Sequence, residues 1–183
     1  MTVKQATLSG ELLFLLAASA GATAAHILQW SNTPNGAYRI ELADYGAAFR
    51  YEMFSSPTSG GPPRKIGKPT SNAEDVVPGF VLSANSKWAA YSQRNTALGL
   101  DRQLYSAAVN GSSWQRISQP MAVGGGVEFL TLMWEGAHVG YMANVDGGVT
   151  FRRYVVAFTG GRVYEELFRD GFESGNTGGW NAN

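Results

Sequence analysis

Three stretches of fifteen residues, Trp30 to Asp44, Phe80 to Arg94 and Leu130 to Asn144, align without a gap at a spacing of 50. This constrains the fold more than any other feature. A fixed period means one small unit repeated, each copy unable to bury its own apolar faces and so dependent on its neighbours. Each stretch holds an apolar residue, a short polar turn and an extended segment. The turns are Pro34-Asn35-Gly36, Ala84-Asn85-Ser86 and Trp134-Glu135-Gly136, where Asn and Gly are expected to supply the positive φ of a tight hairpin. Ring side chains follow at equivalent places: Tyr38, Trp88 and His138.

The agreement continues downstream with a drift of one residue. Met53-Phe54-Ser55-Ser56, Leu104-Tyr105-Ser106-Ala107 and Arg153-Tyr154-Val155-Val156 are followed by Gly60-Gly61, Gly111 and Gly160-Gly161. Each unit thus has a third strand closing in a glycine turn, then a short fourth segment: Arg64 to Gly67, Trp114 to Ile117 and Arg162 to Leu167. Helical periodicity is missing, Thr23 to Ile27 alone being able to sustain a turn or two. The chain reads as all-β. Four short antiparallel strands recurring at a constant interval describe β-propeller blades better than a sandwich. Ala37, Ala89, Ala90, Gly140 and Ala143 are expected on crowded inner strands where blades converge.

Composition removes several classes of function. Lys and Arg number 14 against 14 Asp and Glu, so there is no electrostatic footprint for nucleic acid. Cysteine is absent, which excludes disulfides and thiolate chemistry but leaves the compartment open. Two histidines, His26 and His138, stand far apart in sequence, and no metal site or cofactor is expected. No stretch approaches the ~20 apolar residues of a membrane span. The run Leu12 to Ala18, followed by Ala22-Thr23-Ala24, reads either as a secretory signal or as a buried strand of a preceding blade.

The order of apolar strand, turn, extended segment and third strand resembles the propeller repeats of TolB-type and related WD-like periplasmic proteins. The matching residues are Pro34-Asn35-Gly36, Glu52-Met53-Phe54-Ser55 with Gly60-Gly61, and Gln103-Leu104-Tyr105-Ser106 with Gly111. The resemblance covers about residues 27 to 165. A second resemblance lies in Asp170-Gly171-Phe172-Glu173-Ser174-Gly175, which is similar to the C-terminal tail of many exported gammaproteobacterial proteins. It implies export, and that the natural end of the chain has been reached.

The organisation expected is a partial blade or signal-like segment over 1–26, blades over 27–68, 78–118 and 127–167, and a flexible tail over 168–183. Propellers typically close with four to eight blades, so about three form an incomplete ring. The expected explanation is a shortened gene product or reading frame; two copies completing one ring, or a small ring using the N-terminal segment, are the alternatives.

No Gly-x-Ser-x-Gly elbow, His-Glu-x-x-His, phosphate loop or dinucleotide fingerprint occurs, so no catalytic residue is assigned. Loops joining second to third strands should share one rim, which nominates Asp44, Tyr45, Arg94, Asp101, Asn144 and Asp146 for contacts with protein or glycan. The function expected is a non-catalytic, extracytoplasmic propeller domain binding protein or glycan, with self-association to complete the ring as a further partner. The alternative is a fragment of a larger propeller enzyme, a hydrolase or lyase, whose catalytic part lies elsewhere.

Overall fold

The computed structural model describes residues 26–45, 50–71, 74–95 and 102–166. The run from Leu12 to Ala18, Asp101 and the tail from 168 lie outside them.

Twelve strands follow one another among the described residues, with no helix. β1 (Ile27–Asn32), β2 (Tyr38–Ala43), β3 (Glu52–Pro57) and β4 (Arg64–Lys65) form one antiparallel sheet in chain order. β5 (Glu74–Leu82), β6 (Trp88–Asn95), β7 (Arg102–Ala108) and β8 (Trp114–Arg116) form the second. β9 (Val127–Met133), β10 (His138–Ala143), β11 (Arg152–Ala157) and β12 (Tyr164–Glu166) form the third. The first strand of each later sheet, β5 or β9, lies against the first and third strands of the sheet before it, so that the sheets stack as successive wedges. Three such wedges are an incomplete propeller.

Register carries the repeat into space. Trp30 lies opposite Glu41, Phe80 opposite Tyr91, and Leu130 opposite Tyr141, so the aligned residues hold the same place in their sheets. Each first strand also carries a bulge on the upstream side of that pair. Such bulges sharpen local twist, as a strand near a propeller axis requires.

The core lies between sheets. Ile40, Leu42, Met53 and Ile66 of the first sheet meet Val76, Ala89, Tyr91, Tyr105 and Ala107 of the second. Ala90, Leu104 and Ile117 of the second meet Val139, Tyr141, Tyr154 and Val156 of the third. Because side chains alternate along a strand, β6 sends Ala89 and Tyr91 one way and Ala90 the other, and the middle sheet is buried on both faces. Of the small residues, Ala89, Ala90, Gly140 and Ala143 lie on second strands rather than innermost ones, while Ala37 is exposed in a turn. Ala89, Ala90 and Ala143 sit where two sheet faces press together, whereas Gly140 makes room for Met133 and Thr131 of its own sheet.

The hairpin turns work differently from expectation. Left-handed backbone occurs at Gly36, Ser86 and Gly136, while Asn35 and Asn85 act through their side chains. Asn35 Oδ1 accepts the Ala37 N–H at 3.0 Å and the Thr33 hydroxyl at 2.8 Å. Asn85 does the same with Lys87 at 3.0 Å and Ser83 at 2.8 Å. The third turn has Met133 and Glu135 at these places, which cannot build that network. There Trp134 (φ 48°) and Glu135 (φ 56°) are themselves left-handed. Turns of neighbouring sheets touch: the Asn35 N–H donates to Ser86 Oγ at 2.9 Å, and the Ala84 N–H to the Gly136 carbonyl at 3.1 Å.

Candidate functional site

The connections from second to third strands leave each sheet at the same end, and the chain entering the next sheet returns to that end. The Val76 N–H donates to the Tyr51 carbonyl at 3.1 Å, and Arg102 forms an equivalent bridge to Gly126. These contacts define a rim.

The structure places the five described rim candidates as follows. Asp44 Oδ1 accepts the His26 N–H at 2.6 Å and so fastens the start of β1. Tyr45 lies on the face of the first sheet turned away from the second, where its hydroxyl donates to Glu41 Oε2 at 2.5 Å and its ring meets Phe54 edge-on at 4.8 Å. Burial and the bond to Glu41 push its pKa up to about 12. Arg94 faces Asp75 at 3.5 Å, and Asp75 accepts the Tyr51 N–H at 2.8 Å. Asn144 is buried: Oδ1 accepts the Gly126 N–H at 2.6 Å, and its amide donates to Gly124 at 3.3 Å and Gly148 at 2.8 Å. Asp146 accepts the Gly148 N–H at 3.2 Å. Asn144 and Asp146 thus brace one loop, whereas Arg94 and Asp75 join the second sheet to the first.

Sequence reasoning missed a groove of about 310 Å³ where the first strands of the second and third sheets diverge. Val77 to Gly79, all opposite Ser92 in the β5 bulge, make one wall, and Glu128 to Leu130 the other. Phe80 and Leu130 are its apolar sides, and Phe129 stands 77% exposed at its mouth. Arg102 crosses from β7 to donate to Glu128 Oε1 at 2.9 Å, while its Nε is buried without a partner. The sequence signal was faint. Phe129 alternates poorly with Glu128 and Leu130, and Arg102 is 26 residues from its partner.

The histidines have other surroundings. His26 Nδ1 lies 3.0 Å from the Tyr51 hydroxyl, and half-buried His138 meets the Trp134 ring at 4.4 Å. Among the described residues no three His, Asp or Glu side chains converge on one point to hold a metal. Nor is any helix there long and apolar enough to cross a membrane.

No protein-family model matches the chain, and no curated protein matches it in sequence. Solved structures do. TolB from Acinetobacter baumannii is 17% identical at a TM-score of 0.50, the match covering 72% of this chain and 30% of that one. A prolyl endopeptidase is 13% identical at a TM-score of 0.55, covering 78% of this chain and 19% of that one. The AtxE2 isopeptidase is 10% identical at 0.56, covering 78% and 30%. The chain therefore spans less than a third of the length of each. The likeness is one of fold, and the fold is that of β-propeller blades.

Proposed function

We propose that this run of propeller blades is a non-catalytic binding module that acts outside the cytoplasm and holds a protein or glycan where its inner strands meet. The groove between β5 and β9 carries the reading. Its walls are apolar, Phe80, Phe129 and Leu130, with a single ion pair of Arg102 and Glu128 set among them. Sites that are mostly apolar with a few convergent polar groups suit ligands well. Aromatic faces serve both sugar rings and apolar peptide side chains. Arg102 and Glu128 engage each other, which supports a role in orienting a ligand rather than moving its protons. The rim residues Asp44, Tyr45, Arg94, Asn144 and Asp146, with Asp101 outside the described residues, remain part of the proposal as further candidate contacts apart from the groove. Extracytoplasmic placement rests on the resemblance of the C-terminal tail to that of exported proteins.

The likeness in fold to a prolyl endopeptidase and an isopeptidase favours one second reading, a portion of a larger propeller enzyme. One experiment separates the two. A glycan array and a displayed peptide library are probed with the chain and with Phe129→Ala and Arg102→Ala, and prolyl peptide hydrolysis is assayed alongside. The binding reading expects selected ligands whose retention falls about tenfold or more in both variants, with no hydrolysis. Retention unchanged in both variants, or turnover of peptide by the chain, would overturn it.

A further inference from the structure

The side chain that bridges the first strands of the first and second sheets has no counterpart at the next joint. Gln29, Gly79 and Phe129 stand 50 residues apart, each just before the equivalent residues Trp30, Phe80 and Leu130 and at or beside the bulge of its strand. Gln29 lies opposite Leu42, which packs against the second sheet, so its side chain points the same way. There its Oε1 accepts the Gly79 N–H at 3.0 Å. A carboxamide thus satisfies a backbone donor that the β5 bulge holds out of the ladder with β6. At the joint between the second and third sheets the matching donor is the Phe129 N–H, and Phe129 likewise has no partner in the register of β9 with β10. The residue that would reach it is Gly79, which carries no side chain. A Cβ placed on Gly79 meets nothing within 4 Å among the described residues, and Gly79 lines the groove.

We propose that the groove between β5 and β9 binds a glutamine side chain of a partner peptide, held as Gln29 is held at the joint before it, with the amide oxygen accepting the Phe129 N–H. The proposal rests on the reading of this groove as a binding site and names what that site selects. Arg102 gives a second reason for an incoming oxygen. Its Nη1 is engaged by Glu128 at 2.9 Å, but its Nε is buried without a partner. A buried donor left in that condition is costly, and a carbonyl oxygen relieves it without bringing charge. The charge balance favours amide over acid. Arg102 is the one cation among the residues lining the groove and Glu128 already neutralises it, so a second carboxylate would enter beside Glu128 uncompensated. For an amide, Glu128 instead offers an acceptor to the NH2 group. Phe80 and Leu130 give the methylenes apolar walls. Methionine matches glutamine in length and fills the same space, yet its sulfur is only a weak acceptor.

The test titrates three capped tripeptides into the full chain, one with glutamine between two alanines and its glutamate and methionine counterparts, and follows the backbone amides by nuclear magnetic resonance. The glutamine peptide should shift the Phe129 amide and bind about fivefold or more tightly than either of the others, the factor that one hydrogen bond carries. Gln29→Ala opens the same place at the first joint, so in that variant the glutamine peptide should shift the Gly79 amide as well. Equal binding of all three peptides, with groove amides shifting alike, would overturn the glutamine preference and leave binding at the groove intact. A glutamine peptide that moves no groove amide would overturn both. A folded Gln29→Ala variant whose Gly79 amide ignores the peptide would show that Gln29 is no template for the ligand, and would likewise overturn the proposal.

Discussion

The Tyr91 hydroxyl accepts the backbone N–H of Lys68 at 2.7 Å, so a residue of the second sheet caps the chain leaving the first. Gly67 makes this approach possible, because any Cβ there would lie 2.9 Å from that hydroxyl. Tyr91→Phe should cost about 1 kcal/mol through the lost acceptor. Gly67→Ala should cost about 1–3 kcal/mol through overpacking against a fully buried ring. The two together should cost less than their sum, since removing the oxygen relieves the clash. Urea unfolding of the four proteins measures this; additive effects would mean that Gly67 and Tyr91 do not share a joint.

The third hairpin turn holds two non-glycine residues in left-handed backbone, where the second holds only Ser86 and the first none. With Trp134 and Glu135 both left-handed, Glu135→Gly should stabilise the chain by about 0.5–1 kcal/mol. Asn35→Ala and Asn85→Ala should each destabilise it by about 1 kcal/mol or more, since each Asn accepts both a backbone N–H and a hydroxyl. Thermal unfolding of the three variants should move in opposite directions accordingly.

Asn144 separates bracing from binding. Asn144→Ala removes one accepted and two donated bonds and leaves the buried Gly126 N–H unmatched, so a loss of about 2–4 kcal/mol is expected. Faster amide exchange should be concentrated at Gly124 to Gly126 and Gly148. A variant as stable as the parent would free Asn144 for a direct role on the rim.

Stability should fall at both extremes of pH for different reasons. Burial, offset in part by the Lys68 amide at Tyr91, raises the pKa of Tyr91, while burial carries Tyr141 to about 12. Burial likewise carries Tyr45 to about 12. The neutral phenols are thus favoured by folding, and their contribution is complete below the unfolded value near 10 and lost as pH rises toward the folded values. At the acid end, burial alone would raise Glu52, but Lys65 and Thr70 outweigh it, and Lys68 and the Ser71 N–H do the same for Glu74. Both carboxyls sit below their usual value, so their contribution is present above about pH 4.5 and lost as pH falls through the folded values. Tyrosinate absorbance and circular dichroism, compared between the chain and its Tyr91→Phe and Tyr141→Phe variants, should show the ionisation of these two residues delayed until unfolding. Ionisation of Tyr91 or Tyr141 at an ordinary pH in a folded chain would contradict their packing.

The cross-strand tyrosine pairs mark how far the sequence can be read. Tyr91 stacks with Tyr105 at 6.0 Å and 24°, and Tyr141 with Tyr154 at 5.4 Å and 28°. Their recurrence is visible along the chain, but nothing local tells which face of a sheet they occupy. Alternation says only that one face differs from the other; here both faces of the middle sheet are buried. The groove was hidden for a related reason. Arg102 and Glu128 belong to different repeat units, and the β5 bulge that opens space between them leaves no distinctive composition beyond Pro78-Gly79.

Order along the chain was settled by the sequence itself: strand after strand in antiparallel succession, turns at fixed offsets, and the equivalence of Trp30, Phe80 and Leu130. Those properties follow from short-range chemistry, turn residues and side-chain alternation, which repeat when the residues repeat. Only the packing of sheet on sheet decided which of the described residues became core, which became rim braces and which stayed exposed. Met53 and Arg153 occupy the same place in their units, yet one is buried and the other exposed. Burial depends on what lies across the joint, and that neighbour is never encoded in the unit alone.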